Sequence, residues 1–445
     1  MIYTLLSNLE ELDLSSNDVD NFTTPTGIKS MHRLQVLKLN GMSASNISNM
    51  VQSLRAFSYL KHFHFQHNYG NGSIGSYELR HLRRLEGLFL DGSAVDWNFL
   101  QGKLQRLVWA FSYLKHFHFR YNYVNGSIGS YDLRHLRGLE GLFLDNSTVD
   151  GNFLQSIGAL TSLKILSLSR CGLNGTLPVK GLCELKNLQE LDISWNEYEG
   201  ILPSCVANMT SLRLVELSHN TFTGNIASSP LSKLTSLEYL SLSTTFTTKR
   251  NSYSYKGSIL RYMSGIDLSY NKLHGEIPDG LGNLSEIRAL NLSHNYLIGT
   301  IPETFSNLRQ IESLDLSYNN LGGRIPTGLI KLNALEVFSV AHNNLTGMIP
   351  DKGQFGTFDE GSYQGNPYLC GCPLPADCAS TRSTTVLPSA DNESEELGFM
   401  DMEFFYISFI ISYLAVVLCI ATVLSINPHW RKAWFHFIEI YIIHF

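Results

Sequence analysis

A 24-residue period constrains this chain more than any other feature of its sequence. Four segments between Ile266 and Pro350 are near-copies of one another and read IDLSYNKLHGEIP, LNLSHNYLIGTIP, LDLSYNNLGGRIP and FSVAHNNLTGMIP. Their asparagines recur every 24 residues, at Asn271, Asn295, Asn319 and Asn343. A period of this length, with leucines at fixed offsets, predicts a leucine-rich repeat solenoid. This α/β repeat fold is a right-handed curved coil with a parallel β-sheet on its concave face.

One repeat, beginning at Leu308, illustrates the pattern. Apolar alternation around Leu314 predicts a short strand from which Asp315 and Ser317 face outward. Asn319 stands at the turn, where its amide can pair with backbone groups that would otherwise be buried unpaired. Gly323 permits a tight turn. Since one coil cannot bury its apolar side alone, we expect stability to come from stacking of neighbouring coils. The residues predicted to point inward are Leu308, Ile311, Leu314, Leu316, Leu321 and Ile325.

Weaker copies extend the repeat to the start of the chain and bring the total to about fourteen. Ten of them, some degenerate, occupy residues 1–243. They begin near Leu9, Leu34, Leu60, Leu85, Leu114, Leu139, Leu163, Leu188, Leu212 and Leu237. Met42, Ser93 and Ser147 take the asparagine position, which predicts less well fixed turns. Residues 57–101 and 111–155 are near-copies offset by 54 residues, either a two-coil duplication or an artefact of gene assembly.

Residues 244–262 break the repeat with the sequence TTFTTKRNSYSYKGSILRY, before four repeats over 263–350. Such a loop in a rigid array is a candidate functional element, or else the scar of an insertion or deletion. Residues 351–380 contain clustered cysteines where the last coil needs a cap. Cys372 is left unpaired or is an alternative partner there, and Cys171 is expected to be buried and inert. Cys183 and Cys205 lie in consecutive coils and pair or stay free. The disulfide candidates are Cys370 with Cys378 and Cys183 with Cys205.

The C-terminal residues predict a membrane anchor. An acidic linker over 381–403 precedes 23 uncharged residues, 404–426, long enough to cross ~30 Å of hydrocarbon as a helix. Arg431 and Lys432, between Trp430 and Trp434, mark the cytoplasmic side. The short tail, 427–445, is too small for a domain. We therefore expect a single-pass plasma-membrane protein with its N-terminus outside and its C-terminus in the cytoplasm.

Composition narrows the function classes further. The net charge is −6, so no broad basic surface indicates nucleic-acid binding. Asn-x-Ser/Thr sequons favour a glycosylated extracellular body, unless asparagine-rich repeats generate them by chance. These eleven glycosylation candidates are Asn21, Asn46, Asn71, Asn125, Asn146, Asn174, Asn208, Asn283, Asn291, Asn344 and Asn392. The first residues already lie in a repeat and carry no secretory signal pattern. We thus expect that a signal peptide and an N-terminal cap have been lost, by truncation or by a gene-model error.

The order of these features resembles that of plant leucine-rich repeat receptor-like proteins. The resemblance covers nearly the whole chain and rests on the LxGxIP endings, YSYKGSIL, GNPYLCG…C, the acidic stretch, the single span and NPHWRKAWF. It implies a kinase-less receptor that signals through adaptor and co-receptor leucine-rich repeat receptor kinases, in defence or development. The chain departs from the family in three ways: it starts without a signal peptide and cap, its loop at 244–262 is shorter, and its predicted span contains no glycine. The span therefore keeps only a small-xxx-small spacing for pairing with the span of an adaptor kinase.

The concave face is the predicted binding surface, and it carries no constellation of convergent catalytic groups, so we expect no enzyme activity. The residue before each turn asparagine forms a column of aromatic and histidine side chains. With strands about 4.8 Å apart, this column predicts a continuous stripe suited to a peptide or protein ligand. The alternative is that SHN and SYN are simply common tripeptides of the repeat sequence and have no role in binding. The stripe comprises His67, Tyr121, Trp195, His219, Tyr270, His294, Tyr318 and His342.

Two histidine pairs offer a second possibility on the same face. His62 and His64, and likewise His116 and His118, are two residues apart on one strand and could hold a metal or sense pH. The simpler interpretation is that they are solvated concave residues, and we expect no cofactor. The leading hypothesis is therefore a cell-surface receptor. The alternatives are a leucine-rich repeat inhibitor of microbial wall-degrading enzymes and a truncated, non-signalling decoy or pseudogene product.

Overall fold

The computed structural model describes residues 8–17, 33–42, 54, 57–68, 79, 81–93, 111–122, 128, 136–228, 265–376 and 378, and the backbone of 246–248 and 251–253. All of these belong to the first of two units, Met1–Thr381. The second unit, Arg382–Phe445, holds the predicted span and lies outside the described residues. None of the helices that the structure describes combines the length and the hydropathy needed to cross a bilayer.

A sheet of 13 parallel strands, here called the main sheet, runs through the described coils. Each strand pairs in register with the corresponding strand of the next coil, as Leu290 does with Leu314. The strands, in sheet order, are β1 (Glu11–Asp13), β2 (Val36–Lys38), β3 (His62–His64), β4 (Gly87–Phe89), β5 (His116–His118), β6 (Gly141–Phe143), β7 (Ile165–Ser167), β9 (Glu190–Asp192), β11 (Leu214–Glu216), β15 (Gly265–Asp267), β17 (Ala289–Asn291), β19 (Ser313–Asp315) and β20 (Val337–Ser339).

A second, five-stranded sheet follows the turns of the later coils. It contains β8 (Asn174–Thr176), β10 (Glu197–Gly200), β12 (Thr221–Asn225), β16 (Lys272–Glu276) and β18 (Tyr296–Ile298). Two smaller ladders are β13 (Phe246–Thr248) with β14 (Asn251–Tyr253), and β21 (Thr346–Met348) with β22 (Tyr368–Cys370). Short helices complete the coils: α1 (Phe153–Ser156) and the 3-10 helices Ile157–Ala159, Leu182–Glu184, Ser204–Asn208, Ile226–Ser228, Asp279–Asn283, Glu303–Asn307, Thr327–Lys331, Gly353–Thr357 and Glu360–Ser362.

The leucine positions of the repeat build one continuous core. Leu314 and Leu316, on either side of the outward Asp315, are fully buried, as are Leu308 and Leu321. Ile325 is 2% exposed, so the predicted inward set is confirmed. Each side chain meets its counterpart in the next coil, because in-register pairing places equivalent residues opposite each other. The repeat therefore fixes both the strand and the face that it buries.

The turn asparagines join neighbouring coils. The Asn319 amide nitrogen donates to the carbonyl oxygens of Leu292, Leu316 and Ser317 at 3.0–3.1 Å, and its oxygen accepts from the Leu297 N–H at 3.0 Å. One side chain thus bonds to four backbone groups, and two of them, on Leu292 and Leu297, belong to the preceding coil. Asn366 repeats part of this arrangement in the cap, where it donates to the Val340 carbonyl.

The main sheet passes directly from β11 to β15 across residues 217–264. Val215 pairs with Ile266, and the Leu217 N–H donates to the Asp267 carbonyl at 2.9 Å. β11 and β15 are therefore adjacent strands of the main sheet. The repeat predicted to begin near Leu237 lies outside the described residues and stays a prediction.

Both expected cysteine pairs are disulfide-bonded in the structure. Cys183 and Cys205 lie in the 3-10 helices of consecutive coils, with Cα atoms 5.9 Å apart. Cys370 and Cys378 close the cap with Cα atoms 5.1 Å apart. Cys372 is exposed and free. The cap also covers the last coil with rings, since Phe338 contacts the rings of Phe355, Phe358 and Tyr363.

Candidate binding face of the main sheet

Two columns of side chains on the outer face of the main sheet form the candidate site. The strand-end column consists of the last residue of each main-sheet strand, such as Asp315. The turn column consists of the residue three positions later, such as Tyr318. Because the strands pair in register, equivalent residues of neighbouring coils lie side by side at about 4.8 Å. Each column therefore behaves as a row of adjacent groups.

Every residue of the turn column has a left-handed backbone. The φ angles of the thirteen residues lie between 51° and 60°, and eleven of them are not glycine. This conformation costs roughly 1 kcal/mol or more for a residue with a side chain. It persists because the N–H group is fixed to the next coil; that of Tyr318 donates to the Ala341 carbonyl at 2.8 Å. Sequence analysis missed this conformation, although Gly41 and Gly92 occupy the same position and indicate it.

Six consecutive rings of the turn column stack face to face, and we call them the ring ladder. Their centroids are 3.6–4.3 Å apart and their planes lie within 22° of parallel. Arg170 covers one end, with its guanidinium carbon 4.2 Å from the Trp195 ring centroid. Gly365 closes the other end, where a Cβ would come within 2.5 Å of His342 Nδ1. The ladder comprises Trp195, His219, Tyr270, His294, Tyr318 and His342.

The predicted stripe is shorter than the sequence indicated. His67 and Tyr121 occupy the turn column with φ angles of 57° and 58°, yet neither contacts another ring of the stripe in the described residues. Gly92 and Asn146 separate them from the next ring positions. The prediction of one continuous stripe of eight is therefore wrong, because rings two coils apart are separated by about 9.6 Å and cannot stack.

The ladder leaves its polar ring edges open. Trp195, Tyr270 and Tyr318 are 45–47% exposed. No residue that the structure describes forms a hydrogen bond with the indole N–H, the phenol hydroxyls or the imidazole nitrogens of the ladder. Burial raises the pKa of Tyr270, so its phenol stays protonated and can donate. The ladder is thus a row of unengaged donors and acceptors on an exposed face.

In the earlier coils the rings lie in the strand-end column. His64, Phe89, His118 and Phe143 stack in sequence with centroids 4.0–4.5 Å apart, and we call them the ring row. Arg120, which pairs with Asp91 at 2.9 Å, lies over the end of the row, 5.8 Å from the Phe143 centroid. Sequence analysis found the histidines but missed the row.

Glycine makes room for the first histidine of each predicted pair. A Cβ on Gly87 would lie 2.6 Å from His62 Nδ1, and one on Gly141 would lie 2.8 Å from His116 Nδ1. The alternation of HFH with GLF in the near-copies was therefore the available signal for this packing.

The four histidines are partly buried, whereas the simpler interpretation predicted solvated side chains. Burial lowers the pKa of His64 to about 4 and that of His118 to about 3, and it lowers the pKa of His62 and His116 as well. His64 and His118 are therefore neutral from pH 5 to pH 7, which argues against a pH sensor at these two positions. Within the described residues we find no group of three metal-ligating side chains beside them.

Carboxylates replace rings in the strand-end column of the later coils. Asp192, Glu216 and Asp267 are directly opposite one another on three adjacent strands, and Asp315 follows two strands on. Each bonds to the serine two residues later, as Asp192 Oδ1 does with the Ser194 hydroxyl at 2.7 Å. Burial, followed by repulsion from Asp145, raises the pKa of Asp192 to about 7, and burial raises that of Asp267 to about 6. No lysine or arginine in the described residues forms an ion pair with these four carboxylates.

The sequons fall into three groups. Asn146 and Asn291 lie on the outer face of the main sheet and are half-buried, and the Asn291 amide donates to Asp267 at 3.1 Å. The exposed sequons are Asn174, Asn208, Asn283 and Asn344. Those outside the described residues are Asn21, Asn46, Asn71, Asn125 and Asn392.

Comparison with known proteins supports the repeat assignment. The family model described as Leucine Rich Repeat matches residues 187–209, 263–284, 286–308 and 310–332, and a second model, Leucine Rich repeat, matches 6–21. The chain is 69% identical over 197 residues to Cuscuta receptor 1 of Solanum lycopersicum, covering 44% of this chain and 17% of that protein. It is 56% identical over 204 residues to Receptor-like protein 1 of Arabidopsis thaliana, covering 45% and 19% respectively. The chain thus spans less than a fifth of the length of these relatives.

Solved structures share the fold. The leucine-rich repeat ectodomain of the plant membrane receptor kinase GASSHO1/SCHENGEN3 from Arabidopsis thaliana, in complex with CASPARIAN STRIP INTEGRITY FACTOR 2, aligns with a TM-score of 0.65 and 26% identity. The alignment covers 84% of this chain and 40% of that one. A TDR receptor aligns with a TM-score of 0.58 and 25% identity, covering 78% and 58% respectively.

Proposed function

Because the chain is a plant leucine-rich repeat receptor-like protein, we propose that it is a cell-surface receptor whose ring ladder binds a peptide or protein ligand. The observation that carries this proposal is the ladder itself, six stacked rings on an exposed face of the main sheet whose polar edges pair with no described residue. Aromatic side chains give large contact areas at a low entropic cost, which suits recognition.

The relatives support the kind of partner. Cuscuta receptor 1 and Receptor-like protein 1 are named as receptors, and the GASSHO1/SCHENGEN3 ectodomain was solved in complex with CASPARIAN STRIP INTEGRITY FACTOR 2. We propose that this chain also binds a ligand and that it does so on the outer face of its main sheet. Signalling would pass to adaptor and co-receptor receptor kinases, in defence or development.

Membrane anchoring belongs to the same proposal. Residues 404–426 are 23 uncharged residues followed by Arg431 and Lys432, which suits a single span with the repeats outside the cell. Epitope tags at the two ends of the full chain test this topology. We expect only the N-terminal tag to be reached by antibody on intact cells, and an N-terminal tag reached only after permeabilisation would contradict it.

Removal of the ladder tests ligand binding. Plant cells would display the full chain or its triple variant Tyr270→Ala, His294→Ala, Tyr318→Ala. The probe is a fluorescent dodecapeptide selected on the wild-type chain from a random library. We expect the variant to lose at least tenfold in affinity at unchanged surface abundance, because three adjacent rings of the contact area are removed.

A matched control keeps this test specific. Tyr296 is 63% exposed but lies on the second sheet, so Tyr296→Ala removes an exposed ring of the same type elsewhere. Its affinity should match that of wild type. Equal affinity of the triple variant and the wild type would remove the ladder from the proposal.

A further inference from the structure

The way in which the ladder rings pack restricts how they can contact a ligand. Five successive ring pairs from Trp195 to His342 stack face to face, so the four inner rings have both faces covered by neighbours. Arg170 covers the outer face of Trp195, and Gly365 lies against His342. Recognition modes that need a free ring face, such as stacking on an aromatic side chain or a sugar, are therefore closed along the ladder.

Ring edges are what the ladder offers instead. The edge of an aromatic ring carries the positive part of its quadrupole, and here it also carries phenol, indole and imidazole groups. Phenol and indole groups donate hydrogen bonds, and a neutral imidazole donates from one nitrogen. None of these groups has a hydrogen-bond partner among the described residues. The ladder consequently presents a row of donors on rings whose centroids lie 3.6–4.3 Å apart.

The carboxylates beside the ladder determine which charge is favourable on a ligand oxygen that accepts a hydrogen bond from the ladder. Asp192, Glu216, Asp267 and Asp315 each precede a ladder ring by three residues in the same coil. No cation of the described residues pairs with them, and Asp267, whose pKa burial raises to about 6, is ionised at pH 7 and disfavours another anion nearby. A ligand oxygen at the ladder is thus best neutral, as in a peptide carbonyl.

We propose, on the basis of the function proposed above, that the ladder binds main-chain carbonyl oxygens of an extended peptide through its ring edges. Tyr270 and Tyr318 are the specificity-determining donors. Their hydroxyls are the part of each ring that a ligand reaches, and their stacked faces hold those hydroxyls in position. Side-chain rings of the ligand contact other parts of the sheet.

Substitution of tyrosine by phenylalanine separates the contribution of the hydroxyl-bearing ring edges to binding from that of the ring faces. The double variant Tyr270→Phe, Tyr318→Phe keeps the stack and removes two hydroxyls from the full chain. Its affinity for the library-selected dodecapeptide should fall about tenfold, because two hydrogen bonds are lost. The matched control, Tyr296→Phe, removes a hydroxyl from the second sheet and should leave the affinity unchanged.

A thioamide scan of the same dodecapeptide identifies the acceptor. Sulfur is a much weaker acceptor than oxygen, so one or two thioamide positions should weaken binding to the wild-type chain. At those positions the phenylalanine variant should lose little further, since the bond is already absent. Additive losses at every position would overturn the assignment of carbonyl oxygens to the tyrosine hydroxyls.

The outcomes distinguish this inference from the function on which it rests. If the phenylalanine variant binds like wild type while the triple alanine variant loses binding, the rings act through their area and the edge inference is wrong. If both variants bind like wild type, the ladder is not the binding surface and both proposals fail. Melting curves equal to wild type confirm that the phenylalanine variant keeps its fold.

Discussion

The coils of β3 to β6 and those of β9 to β20 share one backbone plan but hold their rings in different columns. In the earlier coils the rings occupy the strand-end column, from His64 to Phe143. In the later coils they occupy the turn column, and carboxylates such as Asp192 take the strand end. No ring stack forms in the turn column of the earlier coils because Gly92 and Asn146 interrupt it. A stack forms only where every coil supplies a ring, because one strand spacing of about 4.8 Å is all that stacking can span.

The turn residues of the two regions also differ in how well they tie the coils together. Asn295, in the later coils, is buried and donates to the Leu268, Leu292 and Ser293 carbonyls while accepting from the Leu273 N–H. Ser147, at the same position in an earlier coil, donates once, to the Phe119 carbonyl at 2.8 Å. Turn asparagines of regular repeats thus form more hydrogen bonds than the serines that replace them in degenerate repeats.

The largest expected effect comes from removal of a turn asparagine. Asn295→Ala removes four buried hydrogen bonds, and each contributes about 0.5–1.5 kcal/mol to stability. We expect a loss of about 3 kcal/mol or more in the local free energy of opening, measured by native-state hydrogen exchange of the full chain. Ser147→Ala removes two hydrogen bonds, one to the Phe119 carbonyl and one from the Asn122 N–H, and should lose about half as much. Equal losses would show that the two regions are equally coupled.

A smaller effect should come from interruption of the ring ladder. His294→Ala removes ring contacts at 3.9 Å and 4.1 Å with Tyr270 and Tyr318, each worth about 0.5–1.5 kcal/mol. We therefore expect a loss of about 1–2 kcal/mol in stability, measured by denaturant unfolding. Tyr121→Ala is the matched control, because Tyr121 has the same left-handed backbone but no stacked neighbour in the stripe. A control as damaging as His294→Ala would attribute the loss to the backbone and not to the stack.

Sequence alone was sufficient for the features that repeat in every coil. Leu314 and Leu316 were placed in the core and Asn319 at the turn because a fixed period makes each position testable many times. The predicted stripe residues all lie in the turn column. The stripe is not continuous because Gly92 and Asn146 interrupt it, and both gaps are visible in the sequence.

Features that depend on one coil alone could not be read in this way. β11 bonds directly to β15 across residues 217–264, and nothing in a periodic sequence indicates which strands are adjacent across such an interval. The opposition of Asp192, Glu216 and Asp267 likewise depends on this direct pairing, since a coil between them would separate Glu216 from Asp267. Long-range register is set by the folded array and not by the local pattern.

The smallest expected effect concerns pH and the carboxylates of the later coils. Burial and the neighbouring carboxylates raise the pKa of Asp192 to about 7 and that of Asp267 to about 6, above the values of about 3.9 in an unfolded chain. A carboxyl with a raised pKa contributes stability that is fully present below pH 4 and is lost as pH rises through 6 to 7. Asp192→Asn, which cannot ionise, should therefore be more stable than wild type at pH 8 by on the order of 1 kcal/mol. Thermal melts of the full chain at pH 5 and pH 8 measure this, with the exposed Asp279→Asn as control. A gain confined to Asp192→Asn would assign the pH response to the buried strand-end carboxylates, which the earlier coils replace with rings, and an equal gain in both variants would refute that assignment.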